Sequence, residues 1–203
     1  MKRALLVLSC AFCVGHWLPA AAQQLLDRIA ATVNGTVITL TDVQAARALG
    51  VVNAPDDAAA VQPMIDRQLS LIEVARFPPA EPDKAAVDAE VARERAAAGA
   101  ALPSIMQATG LDDTGIRAMA RDTLRIRAYL DQRFGTAGQV TDDEAELYYD
   151  EHPDEFRRDG VVVPFETALP VARERANAER RKQQVDRSLQ DLRNRATIAI
   201  PAA

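Results

Sequence analysis

Residues Asp27 to Asp42, DRIAATVNGTVITLTD, constrain this chain more than any other stretch. Two short runs rich in Val, Ile and Thr, Ile29 to Val33 and Thr36 to Thr39, flank Asn34-Gly35. That pair readily adopts φ > 0 at both central positions of a tight turn, so the stretch predicts a two-residue β-hairpin. A lone hairpin is marginal in water and needs a further strand or a helix beneath it. The only comparable strand signal is Ala196 to Ile200, ATIAI, bounded by Pro201. The two ends of the chain are therefore expected to share one small sheet, with a mainly α body between them.

The first 22 residues read as a secretion signal. Lys2-Arg3 form a positive start, Ala4 to Leu18 an apolar run, and Ala20-Ala21-Ala22 a small-residue cleavage site before Gln23. The apolar run is too short, and too soon followed by Gln23, Gln24 and Asp27, to span a bilayer. Residues 23–203 are expected to form one domain in the periplasm, with no stable membrane span after processing. Cleavage removes both cysteines (Cys10 and Cys13), Trp17 and His16. The remainder carries no thiol, so packing alone must hold it, and it is long enough for that.

This composition excludes several chemistries. The net charge of −5 becomes more negative by the loss of Lys2 and Arg3, which disfavours a nucleic-acid partner. One histidine, His152, remains, with Ser70, Ser104 and Ser188 and no G-x-S-x-G elbow, so a nucleophilic triad has no material. No His-rich metal site and no Gly-rich phosphate loop is present, and no cofactor is expected. Carboxylates are plentiful, but on helices rich in Lys and Arg they read as solvated charge.

Helical spacing accounts for most of the rest. A helix starts at Thr41, capped by Thr41 or Asp42, and stops at Gly50. Residues 51–60 form a loop, and Val61 to Arg76 a largely buried helix ended by Phe77-Pro78-Pro79. Asp83 to Ala98 is Ala-rich and charged, with Val87 and Val91 as a thin apolar stripe. Leu102 to Thr109 turns Ile105 and Met106 inward, and a strong helix runs from Asp112 or Asp113 to Phe134. Thr141 with Glu144 forms a capping box for a helix reaching about Phe156. After a loop around Gly160, Phe165 to Leu169 is expected to form one turn, and Pro170 suits the first position of a long charged helix over 170–194.

In this order these landmarks resemble the N-terminal chaperone module of the SurA-type periplasmic chaperone family. The matching stretches are DRIAATVNGTVITLTDV, MIDRQLSLIEVAR, GLDDTGIRAMARDTLRIRAYLDQRFG, VTDDEAELYYDEHPDEF and PFETALPVARERANAERRKQQVDRSLQDLRNRATIAI. Together they span nearly all of residues 23–203. The resemblance implies a helical SurA/trigger-factor-like chaperone fold in which the last helix (170–194) and strand (196–200) pack back on the N-terminal part. Family members that isomerise prolyl bonds carry parvulin domains after the segment matching DEHPDEF. Here only Arg157 to Pro164 separate Phe156 from Phe165, whereas an independent domain needs on the order of 100 residues. The resemblance thus implies the chaperone half without the isomerase half.

The expected function is a non-catalytic holdase for unfolded or extended segments of exported proteins, outer-membrane proteins among them. The competing reading is a dedicated envelope binding or scaffold protein with one partner; an isomerase is the least favoured. Methionine makes adaptable apolar surface, and Met64, Met106 and Met119 each sit on a predicted helix near Ile or Leu. The expected client crevice lies between these helices, with Ile65, Leu69, Ile72 and Ile105 in its walls and Phe77, Tyr129 and Phe134 on its rim. Ordinary core packing is the competing account of the same residues. Of Tyr148 and Tyr149, at least one is expected against the closing sheet, and His152 is expected to be exposed. The sequence leaves open whether the protein is a homodimer.

Overall fold

Asn34 and Gly35 take φ values of 49° and 85°. This left-handed turn sets the first hairpin in the computed structural model, which describes residues 27–135 and 139–201. The predicted leader and its cleavage site at Ala22 and Gln23 lie outside the described residues. In chain order the elements are β1 (Ile29–Val33), β2 (Thr36–Thr39), α1 (Leu40–Ala48), α2 (Asp57–Arg76), α3 (Lys84–Ala98), α4 (Leu102–Thr109), α5 (Asp113–Phe134), α6 (Asp142–Glu151), β3 (Arg157–Arg158), β4 (Val161–Val162), α7 (Phe165–Arg195) and β5 (Ile198–Ala199). The fold is mainly helical, with a small three-stranded antiparallel sheet built from both ends of the chain.

That sheet has the order β2-β1-β5. Val33 faces Thr36 on one side and Ile198 on the other, and Thr32 faces Ala199. Asn34 closes the corner twice. Its backbone N–H donates to the Thr197 carbonyl at 2.8 Å, and its side-chain oxygen accepts from the Thr197 N–H at 2.8 Å. One asparagine thus turns the hairpin and fixes the returning strand. A Cβ on Gly35 would meet nothing within 4 Å, so Gly35→Ala tests backbone conformation alone. It is expected to cost about 1 kcal/mol in thermal or chemical denaturation.

Two clusters hold much of the apolar burial, and Val74, Val87, Ile116, Ala120 and Tyr129 are buried outside them on α2, α3 and α5. The first joins the sheet to α1 and α2 through Ala31, Val33, Ile38, Val43, Ala46, Ile65 and Leu69. The second joins α6 to the start of α7 through Val140, Ala145, Phe156, Ala168, Ala172 and Ala176. The alanines, four residues apart, let α6 approach α7 closely. Helix α7 belongs to both clusters: its first turns carry the alanines, and Leu192 near its end packs on the first cluster with Ala196 and Ile198. Ion pairs of Arg181 with Asp131 and of Arg193 with Asp66 hold its length against α5 and α2.

Several boundaries differ from the sequence expectation for local reasons. Thr39 caps α1 in a box with Asp42, while Thr41 donates its hydroxyl to Asp27. Helix α2 starts one turn earlier than Val61, because Asp56 accepts from the Ala59 N–H at 2.8 Å. Helix α6 stops at Glu151, and Pro153–Phe156 form a 3-10 turn. The loop around Gly160 is a second hairpin whose Asp159-Gly160 turn, φ 52° and 82°, repeats the Asn34-Gly35 solution. Helix α7 begins at Phe165, five residues before Pro170. Inside the helix Pro170 removes the bond its own N–H would make and crowds the Glu166 carbonyl; burial of Ala168 and partial burial of Phe165 and Leu169 hold the preceding turn.

Candidate functional site

Helices α2 and α5 both end in Arg-Phe: Arg76-Phe77 and Arg133-Phe134. Cations are favoured in the last turn of a helix, where unpaired carbonyls concentrate negative charge. These two ends meet around an open cavity of about 400 Å³ lined by Arg76, Phe77, Pro78, Tyr129, Gln132 and Arg133. Phe77 is 54% exposed, whereas Tyr129 is buried to 6%. Burial pushes the Tyr129 phenol up; Arg133 pulls it back, Glu73 adds to the rise and Arg76 opposes it. Arg76 pairs with the largely buried Glu73 at 3.2 Å. Arg133 lies over the Phe134 ring, 5.6 Å from its centroid. Among the described residues no ion pair engages Arg133.

A smaller cavity of about 180 Å³ lies on the other side of Arg76. It is lined by Leu69, Ile72 and Glu73 of α2, Asn34 of the hairpin turn, and Leu192, Arg195 and Ala196 at the end of α7. Of the residues expected to bind clients, four touch a cavity near Arg76: Ile72 and the core residue Leu69, only 2% exposed, in one, and Phe77 and Tyr129 in the other.

The rest of the expected crevice does not assemble. Met64 and Ile65 are buried in the first core cluster. Met119 packs on that cluster and also borders a separate cavity against Thr41 and Ala45. Ile105 and Met106 are only half-buried, on a helix that packs against α1 rather than α2. Phe134 is half-buried beneath Arg133, outside the cavity lining. The three methionines thus sit in different surroundings. Helical periodicity places apolar faces inward but does not say which helix each face meets. Arg76, Pro78, Gln132 and Arg133 escaped the sequence reading, although the repeated Arg-Phe at two helix ends was a legible signal.

Tyr148 and Tyr149 pack in the second cluster rather than on the sheet. Tyr149 donates to the Val163 carbonyl at 2.6 Å. His152 is half-buried and stacks on Tyr148, with ring centroids 4.1 Å apart. The run Arg180-Arg181-Lys182 is occupied by Glu144, Asp131 and Asp186, a salt-bridged face.

A second polar feature lies where α2, α3 and α5 meet. The inward stripe of α3 consists of Val87, Glu90 and Glu94, so these two glutamates are buried, contrary to the reading of charged residues as solvated. Glu90 pairs with Arg93 and, at 3.5 Å, with Arg127. Neither carboxylate oxygen of Glu94 has a hydrogen-bond partner among the described residues. Thr123 lies nearby but donates its one proton to the Met119 carbonyl at 2.9 Å. Burial, followed by the charge of Glu90, pushes the Glu94 carboxyl up to about 7, against the pull of Arg67 and Arg93. Arg67 donates to Thr123 Oγ1 at 3.1 Å and to the Met119 carbonyl at 3.0 Å. Its own pKa is lowered by burial, against the pull of Asp122 and Glu94.

Among the described residues, no group of three His, Cys, Asp or Glu side chains is placed to hold a metal ion, and no helix is long and apolar enough to cross a membrane. No protein-family model matches the chain, and none of the curated proteins compared with it matches. The class that the fold defines is a mainly helical protein closed by a three-stranded antiparallel sheet of its two chain ends. One of its open, partly apolar features is the aromatic and arginine cavity between α2 and α5.

Proposed function

We propose that this protein is a non-catalytic periplasmic chaperone of the SurA type, a holdase that binds unfolded or extended segments of exported proteins. The observation that carries this reading is the unfilled cavity beside Phe77. A large aromatic side chain stays more than half exposed at the lip of a partly apolar recess, which leaves apolar surface that a docked segment gains by covering. Further exposed apolar side chains, Leu147, Val161 and Val171, lie on α6, β4 and α7 and offer additional weak contacts. The leader-like start of the sequence supports export. The short link between Phe156 and Phe165 leaves no space for an isomerase domain.

The test is suppression of aggregation for several unrelated denatured proteins, followed by turbidity. Wild-type protein is expected to delay aggregation of all of them at near-stoichiometric ratio. Phe77→Ser, at an exposed position, is expected to keep the fold and weaken client affinity about tenfold, as loss of a central aromatic contact does. Activity toward a single partner, with none toward generic clients, would instead identify a dedicated envelope scaffold. Prolyl isomerisation above background would overturn the non-catalytic reading.

A further inference from the structure

The geometry points to the cavity between the ends of α2 and α5 as a site for a peptide carboxylate flanked by an apolar side chain. This rests on the holdase reading and names the chemistry of the segment it selects. The sequence carries a net charge of −5, yet the cavity is lined by two arginines and no carboxylate. Arg76 is partly neutralised by Glu73, whereas no ion pair among the described residues engages Arg133. A guanidinium offers paired N–H donors that match a carboxylate. Beside the arginines, Pro78 and the buried Tyr129 form an apolar floor with Phe77 exposed at its lip, and Gln132 adds an amide. At about 400 Å³ the recess is at the small end of ligand-sized cavities, suited to one apolar side chain with its attached backbone.

Guanidinium pairs bind phosphate as well as carboxylate, so the apolar floor decides for a peptide. A free inorganic anion would leave Phe77, Pro78 and Tyr129 in contact with water, whereas an apolar residue beside the carboxylate covers them.

The experiment compares two fluorescein-labelled peptides of one sequence ending in Ser-Leu, one a free acid and one a C-terminal amide, by fluorescence anisotropy with the full protein. The acid is expected to bind about fivefold tighter, the size of a partly exposed ion pair, and the difference is expected to shrink as salt is raised. Arg133→Gln is expected to bring the two affinities within about twofold. Arg133 is exposed, so its unfolding midpoint is expected to match wild type. Leu147→Ala, at an exposed position on α6 outside the cavity lining, is expected to retain the acid preference. Equal binding of acid and amide by the wild type, or an acid preference that survives Arg133→Gln, would overturn the assignment. So would displacement of the acid by inorganic phosphate at equal concentration. Aggregation suppression without acid preference leaves the holdase reading standing and removes this one; acid preference without suppression does the reverse.

Discussion

Glu94→Gln is expected to flatten the pH dependence of stability between pH 5 and pH 8. In the folded protein the Glu94 carboxyl is pushed from its ordinary 4.5 up to about 7, chiefly by burial and then by the charge of Glu90. The folded state therefore holds this proton more tightly than the unfolded chain does. Its contribution to stability is fully present below about pH 4.5, where both states are protonated, and is lost as pH rises through 7. A raised pKa of this size corresponds to about 3 kcal/mol by pH 8. The glutamine variant carries no such charge, so its unfolding free energy relative to wild type is expected to rise by up to that amount from pH 5 to pH 8. Urea denaturation at the two pH values measures it. Parallel curves for the two proteins would show that the Glu94 oxygens find solvent or a cation in solution. The helices involved bear on the cavity beside Phe77: α3 packs on α5, and α5 carries Tyr129 and Arg133.

Ending the chain after Arg195 is expected to cost roughly 3 to 5 kcal/mol and to make the protein aggregate on heating. The truncation removes β5 with its pairing to Thr32 and Val33, both hydrogen bonds between Asn34 and Thr197, and the packing of Ala196 and Ile198 on the first core cluster. Each hydrogen bond contributes about 1 kcal/mol net and the half-buried isoleucine a further 1 to 2. Strand β1 then becomes an edge, offering unpaired backbone groups to a neighbouring chain. Thermal unfolding with light scattering reads both effects. A truncated protein that unfolds at the wild-type midpoint would show that the hairpin on α1 and α2 suffices without the returning strand. Asn34→Ala is the milder companion; it deletes the side-chain bond and puts alanine at φ 49°, and is expected to lose about 2 kcal/mol.

What was legible depended on how local its cause is. The Asn34-Gly35 turn and the Thr141 capping box with Glu144 are settled within four residues, and both appear as expected. The turn at Asp159-Gly160 obeys the same rule but was hidden by the shortness of its strands, two residues each. The start of α7 was misplaced because Pro170 is a strong local signal, overridden by burial of Ala168 and Ala172 against α6. Leu69, Ile72, Phe77 and Tyr129 proved to touch cavities near Arg76. Met64, Met106 and Met119 carry the same residue type in three settings: core, half-exposed helix, and the margin of another cavity.

The amino-acid order by itself determined the helices and the hairpin, because hydrogen bonding within turns and apolar periodicity act over short stretches of chain; the return of the tail to the head was legible only because a lone hairpin needs a further strand and residues 196–200 held the one other strand signal. Tertiary structure alone decided which helix ends meet. Arg76 and Arg133 are 57 positions apart in the sequence, and no local preference links them until α2 and α5 are packed together. The same packing made Glu94 a buried acid: its neighbours in sequence read as a charged surface, and only the faces of α2 and α5 laid over it take the water away.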